Sequence, residues 1–143
     1  MRTIHASLVL ALSMTAFSQV PTPEMNRVLS AAAQQLSEVA FDANAPVTIR
    51  GRVSTLVWPQ GTSGMILVEA SDGIGKYAFS TARVPAMAKQ GFTRFTLHPG
   101  EEVIVTGSLA SSNAKIGPGF TAAQANLITK SDGSRVFDRA KLP

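Results

Sequence analysis

The chain has 143 residues, and 13 Lys and Arg against 9 Asp and Glu give it a formal net charge of +4. It contains no cysteine, which excludes disulfides, thiolate metal ligands, a lipid-bearing cysteine and a cysteine nucleophile. The basic residues are scattered rather than clustered, so the composition does not favour nucleic acid as a partner.

Residues 1–18 have the pattern of an export signal. Arg2 provides a basic start, the stretch from Ala6 to Phe17 is mostly apolar, and Ala16 and Ser18 occupy the small-residue positions that a signal peptidase recognises. The apolar run is far shorter than the roughly 20 residues that cross a bilayer. We predict cleavage after Ser18, a periplasmic or secreted location and no membrane span in the mature chain. An uncleaved anchor or a buried helix is the alternative.

Residues 19–45 are predicted to form an amphipathic helix and a linker that ends at Pro46. Thr22 can cap the helix, and Pro23 suits its first turn because the missing N–H is not needed there. A stripe of apolar residues recurs at helical spacing: Met25, Val28, Leu29, Ala32, Leu36 and Val39. The helix either lies on its own domain or is an arm that docks a protein partner of the envelope.

From residue 46 the apolar period changes to two, which predicts a β-domain over residues 46–131. The first strand alternates from Val47 onwards and has its natural bulge or bend at Gly51. Four more strands are predicted: Met65–Ala70, Lys76–Ser80, Glu101–Ala110 and Phe120–Lys130. A short helix, Val84–Gly91, lies between the third and fourth strands, and residues 132–143 form a tail.

Five strands with a helix in that position are typical of a small OB-like barrel, so the fold is predicted to be mainly β. A six-stranded variant or a small open sandwich would give a similar pattern.

The stretch LHPGEEVIVTG holds His98, the only histidine left after signal cleavage. Pro99 and Gly100 make a turn here, so His98 is predicted to be an exposed turn residue rather than a site. One histidine and no cysteine cannot build the usual zinc or copper centre. Glu101 and Glu102 are adjacent on a strand and point to opposite faces, and no phosphate loop or nucleophile elbow is present. We predict no catalytic residue, no metal and no cofactor: the protein is not an enzyme.

Three stretches carry a family resemblance: AFDANAPVTIRGRVSTLVW, KYAFSTARVPAMAKQGFTRFTLHPGEEVIVTG and ITKSDGSRV. Over about Gln34 to Val136 the chain resembles an uncharacterised family of small exported bacterial proteins, domain of unknown function 6152. The resemblance implies histidines that hint at metal or cofactor binding, one pair ahead of the Phe-Asp and one histidine after the Trp. Gln34-Gln35 and Gln60-Gly61-Thr62 stand at those places here, and they ligate metals poorly. The resemblance therefore supports the predicted fold and compartment, while the replaced histidines weaken the case for a metal site.

In OB-like barrels, ligands lie across the second and third strands. That surface would hold the candidate ligand-binding residues Trp58, Gln60, Thr62, Tyr77 and Lys115, with Asn113 nearby. The rings of Trp58 and Tyr77 can stack on a sugar or planar ligand, although both residues also suit the core. Arg83 and Arg94 flank the short helix and can simply hold its ends.

The sequence thus predicts a non-catalytic exported binding or accessory domain for a small polar ligand or an envelope protein. The alternative is an envelope protein of the metal-binding, cofactor-binding or enzymatic kind, whose family histidines are lost in this copy.

Overall fold

The computed structural model describes residues 22–59 and 61–142. The predicted signal peptide and the candidate site residue Gln60 lie outside them. The elements are, in chain order, α1 (Pro23–Ser37), β1 (Phe41–Val57), β2 (Ser63–Ala70), β3 (Lys76–Arg83), α2 (Val84–Lys89), β4 (Glu102–Ala110), β5 (Lys115–Ile116), β6 (Phe120–Lys130), β7 (Arg135–Asp138) and a 3-10 helix (Arg139–Lys141). The fold is mainly β, as predicted, with a short helix between the third and fourth strands.

The seven strands form one sheet in the order β3-β2-β1-β4-β6-β5, and β7 pairs with β6. These neighbours are antiparallel, whereas β3 and β6 pair in parallel from Tyr77 opposite Thr121 to Ser80 opposite Gln124. The pairings therefore lead from β1 through β2, β3, β6 and β4 back to β1. The predicted count of five strands is too low, because β5 and β7 are short and lie in segments that resemble a polar loop and a tail.

Strand β1 is longer than predicted and bends at another residue. It begins at Phe41 rather than Pro46, so the predicted linker belongs to an irregular first part of the strand. The irregularity in its pairing with β2 lies between Val53 and Thr55, not at Gly51. Gly51 serves close packing instead, since a Cβ there would lie 2.3 Å from the carbonyl oxygen of Glu69.

The buried apolar residues form two clusters on the two faces of the sheet. The main core includes Val53, Ile66, Val68, Phe79, Met87, Phe92, Leu97, Val103, Val105, Ile128 and Phe137. The helix-side core joins α1 to the sheet and includes Ala32, Ala33, Leu36, Val57, Met65, Leu67, Ala78, Ile116 and Ala122. Strand β2 is apolar throughout Met65 to Val68 because successive side chains point alternately into the two cores.

Helix α1 begins as predicted. The Thr22 hydroxyl oxygen accepts a hydrogen bond from the Met25 N–H at 3.1 Å, and a proline occupies the first turn. The second half of the apolar stripe packs on the sheet through Ala32 and Leu36. In the first half Leu29 is partly buried against the helix-side core, whereas Met25 and Val28 are 51% and 50% exposed. No helix in residues 22–59 or 61–142 is long and apolar enough to cross a membrane.

The segment after β6 is integrated into the fold rather than being a free tail. Strand β7 pairs with β6, and the Arg139 guanidinium donates hydrogen bonds to the carbonyl oxygens of Ala125, Ser80 and Thr81. The same group lies over the ring of Phe137, 5.6 Å from its centroid. Arg139 therefore fastens the C-terminal 3-10 helix to strands β3 and β6.

Candidate ligand-binding groove

A groove of about 600 Å³ lies where β1 ends, between the following loop and helix α2. Its lining consists of Trp58, Pro59, Gly61, Thr62, Arg83, Val84, Pro85, Ala88, Phe92, Thr93, Arg94 and Phe95. Local sequence explains one wall: Pro85 stands in the first turn of α2, and Gly91, with φ +81°, reverses the chain after it. The reversal brings residues 92–95 back against the helix that precedes them.

The floor of the groove is aromatic and continuous with the main core. Phe92 is 1% exposed, and its ring meets that of Trp58 edge to face with centroids 5.8 Å apart. On its other side it meets Phe137 edge to face at 6.4 Å. Phe95, three residues after Phe92, is 72% exposed at the rim. A rigid apolar base therefore ends in a ring that is open to solvent.

Two polar atoms in the groove residues are buried without a hydrogen-bond partner in the described part of the chain. They are the indole Nε1 of Trp58 and the hydroxyl oxygen of Thr62. Buried polar groups in native proteins are almost always paired, and an unpaired one costs roughly 1–3 kcal/mol. A bound acceptor would remove this cost from the indole N–H.

Among the described residues, Arg83 and Arg94 are the only charged ones that line the groove. Neither takes part in the ion pairs found in residues 22–59 and 61–142, which are Arg50–Glu102, His98–Glu101, Lys130–Glu101 and Arg135–Asp138. The groove therefore combines an apolar base with two positive charges, and no carboxylate among the described lining residues neutralises them.

A second hollow of about 620 Å³ shares Trp58, Arg94 and Phe95 with the groove and extends to Leu29 of α1 and to His98. His98 is an exposed turn residue, as predicted: its carbonyl oxygen accepts from the Glu101 N–H at 3.0 Å, and Gly100 has φ +90°. The backbone N–H of His98 donates to the Glu101 carboxylate at 3.0 Å. His98 thus has a structural use at the start of β4.

The structure brings together two of the predicted site residues, Trp58 and Thr62, in the groove. Tyr77 does not line it; its ring stacks on Phe79 with centroids 5.8 Å apart and packs against the main core. Lys115 is exposed on β5, where its ammonium donates to the Thr121 hydroxyl at 2.9 Å. The residues that were predicted to share one surface therefore lie in separate parts of the fold.

The physical reason for this division is distance along β3. Tyr77 stands near the beginning of the strand and Arg83 at its end, so about 20 Å of extended chain separates them. The sequence prediction assigned the site to the broad face of the second and third strands. The groove instead lies at the end of β3, where helix α2 begins.

The groove residues that the sequence analysis did not assign to the site include Arg83, Phe92, Arg94 and Phe95. The sequence analysis interprets the two arginines as helix-flanking residues. A signal was nevertheless present, because RVPAMAKQGFTRF places two arginines and two phenylalanines around a six-residue helix. So short a helix forces the residues at its two ends to lie near each other.

The described residues contain no group of three or more His, Cys, Asp or Glu side chains that could hold a metal ion. The two places that the family resemblance associates with histidines differ in setting. Gln34 and Gln35 are exposed on α1, whereas Gly61 and Thr62 line the groove. The amide and hydroxyl groups present at these places are weak ligands for zinc or copper.

The fold and groove define a small mainly-β protein with one aromatic, basic hollow beside a short helix. Residues 25–118 match the model of the family described as "Family of unknown function (DUF6152)", well over half of the chain. The chain therefore belongs to this family, as its sequence resemblance predicted. The match contains every residue of the groove and ends before β6. No curated protein is significantly similar to the chain.

Proposed function

We propose that this protein is a non-catalytic binding domain, exported to the periplasm or secreted, whose ligand site is the groove beside α2. The observation that carries the proposal is a pair of buried polar atoms without a hydrogen-bond partner among the described residues, Trp58 Nε1 and the Thr62 hydroxyl, next to the aromatic base. Apolar pockets with a few convergent polar groups are the usual form of a small-molecule site. The compartment rests on the signal-like residues 1–18.

The absence of catalytic chemistry in this proposal rests on the composition of the groove. Its lining within residues 22–59 and 61–142 contains no histidine, cysteine, aspartate or glutamate, the residues that most often act as general acids, bases or strong nucleophiles. Its two hydroxyl residues, Thr62 and Thr93, have no base beside them among the lining residues. Binding without turnover is the function that these side chains support best.

The finer fold assignment that we propose is an OB-like barrel. Support comes from the path of pairings β1-β2-β3-β6-β4-β1 and from the position of α2 between β3 and β4. In this assignment β5 and β7 are additions to the five strands. In this proposal residues 1–18 are removed on export, and α1 and the β-domain follow in the mature chain.

A fragment screen followed by NMR tests the proposed site. Trp58 is the only tryptophan, so the mature protein gives a single indole N–H resonance. We expect bound fragments to shift that resonance and to lose affinity in Phe95→Ser. Ile74→Ser is the matched control, because Ile74 is 85% exposed and lies outside the groove. Fragments that leave the indole resonance unmoved, or that bind Phe95→Ser unchanged, would refute the site.

A protein partner in the envelope is the second candidate, and the half-exposed Met25 and Val28 on α1 favour it. In this case the mature protein would co-purify with one stoichiometric partner, and the double variant Met25→Ser/Val28→Ser would lose it. Retention of the partner by the double variant would exclude α1 as the docking element.

The alternative from the family resemblance is an envelope protein of the metal-binding, cofactor-binding or enzymatic kind that has lost the family's histidines. Equilibrium dialysis of the mature protein against zinc and copper tests for metal binding: retention of either metal would favour this alternative over the binding domain.

A further inference from the structure

We infer that the groove takes a small amphipathic anion, a molecule with an apolar and preferably aromatic body that carries a carboxylate or a similar acidic group. This inference rests on the proposed binding function and adds the chemistry of the ligand. It follows from three properties of the lining residues: their hydrogen-bonding type, their charge and the shape of their apolar base.

The polar side chains of the groove are mostly able only to donate hydrogen bonds. The guanidinium groups of Arg83 and Arg94 and the indole N–H of Trp58 have no acceptor capacity. Thr62 can donate or accept. The Thr93 hydroxyl oxygen already accepts from the Phe95 N–H at 3.2 Å, which leaves its own proton to donate. A ligand that satisfies this set must itself be rich in acceptors.

The charged residues of the described lining are both positive. Arg83 and Arg94 lie at opposite ends of the chain segment that holds α2, and none of the described lining residues is acidic. Neither guanidinium belongs to an ion pair among the described residues. A guanidinium group binds a carboxylate with two parallel N–H donors, which makes it well suited to a planar acidic group. A cationic ligand would be repelled by both.

The apolar base selects the other half of the ligand. Trp58 and Phe92 form a fixed edge-to-face pair, and the exposed ring of Phe95 stands at the rim, where it can cover a bound apolar body. A volume of about 600 Å³ lies within the range of roughly 300–1,000 Å³ found for small-molecule pockets. The base therefore suits a compact ring or short chain.

A pair of matched probes tests the inference: phenylbutyrate and phenylbutanol, which share the aromatic body and differ in the acidic group. Neither absorbs where tryptophan is selectively excited, so the fluorescence of Trp58 reports binding of both. We expect the mature protein to bind phenylbutyrate at least about tenfold more tightly than phenylbutanol, as befits hydrogen bonds to an ionised group. Added salt should weaken phenylbutyrate binding and leave phenylbutanol binding nearly unchanged.

Two variants assign the preference to the groove. Arg83→Gln/Arg94→Gln should bring the two dissociation constants to within about twofold, by weakening phenylbutyrate about tenfold. Lys89→Gln/Lys141→Gln removes the same charge from exposed residues outside the groove lining and should leave the preference intact. Phe95→Ser should weaken both probes alike, because Phe95 contacts only the shared body.

The outcomes separate this inference from the proposed function. Equal binding of both probes, weakened by Phe95→Ser, would overturn the anionic ligand and keep the groove as a binding site. Failure of both probes to change the Trp58 fluorescence would overturn the inference and count against the site itself. A tenfold preference that survives in Arg83→Gln/Arg94→Gln would overturn the role of the two arginines. The salt dependence is measured on the native protein, so it stands even if a variant misfolds.

Discussion

Two regions of this molecule use arginine in opposite ways. At the C-terminal fastening, Arg139 is half-buried, donates to three backbone carbonyl oxygens and lies over Phe137. Its burial lowers the pKa of the guanidinium, which nevertheless stays charged at any ordinary pH. In the groove, Arg83 and Arg94 are exposed and belong to no ion pair in the described residues.

The difference shows how structural and functional polar groups can be told apart. A buried donor that the fold needs has its acceptors supplied by the same chain, as Arg139 has. The groove holds donors whose acceptors the described residues do not supply, among them the buried indole N–H of Trp58. A buried donor without an acceptor costs stability in the free protein, and a bound ligand that supplies the acceptor would remove that cost.

The largest expected effect is on stability and comes from Arg139→Met. Loss of the guanidinium leaves the carbonyl oxygens of Ala125, Ser80 and Thr81 without that donor and detaches the 3-10 helix. We expect the free energy of unfolding to fall by about 3 kcal/mol, measured by urea denaturation. Lys141→Met, which alters an exposed residue of the same helix, is the control. A loss below about 0.5 kcal/mol would show that the fastening is dispensable.

The second effect has the opposite sign. Thr62→Val replaces a buried, unpartnered hydroxyl by a methyl group of similar size. We expect an increase of about 1 kcal/mol in the free energy of unfolding, because the desolvation cost of the hydroxyl disappears. Differential scanning calorimetry measures it, with Thr48→Val as the comparison at an exposed hydroxyl on β1. A destabilised Thr62→Val protein would mean that the hydroxyl already has a partner.

The third effect is a small change in stability. Arg83→Gln/Arg94→Gln should alter the free energy of unfolding by less than about 0.5 kcal/mol, since exposed side chains without ion pairs contribute little to folding. Urea denaturation alongside Arg139→Met gives the comparison directly. A loss as large as that of Arg139→Met would make the groove arginines structural and remove the contrast between the two regions.

The smallest expected effect is on the loss of stability at acidic pH. Burial acts to raise the pKa of Glu101, but the His98 N–H and the Lys130 ammonium, 3.1 Å away, outweigh it, and the pKa is lowered. A carboxyl whose pKa is lower in the folded state stabilises the protein above its unfolded pKa. That contribution is lost as the pH falls from roughly 4.3 through the folded pKa.

Urea denaturation between neutral and acidic pH measures the effect of Glu101. The loss of stability below about pH 4.3 should be shallower in Glu101→Gln than in the native protein. Glu102→Gln is the matched control, because it removes the same charge from the next residue. An identical pH dependence in Glu101→Gln and the native protein would contradict the assignment.

Local patterns predicted the parts of this fold that depend on neighbouring residues. Thr22 and Pro23 start α1, the alternation from Val47 to Val53 forms β1, and Gly91 follows the end of α2. Each of these is set by backbone geometry within a few residues. The same logic placed His98 correctly in an exposed turn.

The parts that could not be predicted depend on contacts between distant segments. Strand β5 has two residues and exists through its pairing with β6, which no local pattern reveals. The irregularity after Val53 reverses the face of the strand, so that Val57 enters the helix-side core while Val53 stays in the main core. Such a reversal is decided by the partner strand.

The amino-acid sequence by itself determined the class of the fold, the family and the absence of cysteine chemistry, because composition and short-range periodicity carry these. It also supplied Trp58 and Thr62 as candidates. Only the tertiary structure decided that they share a groove with Arg83 and Phe95, while Tyr77 and Lys115 lie elsewhere. The reason is geometric: a reversal at Gly91 and a strand of eight residues determine which side chains meet.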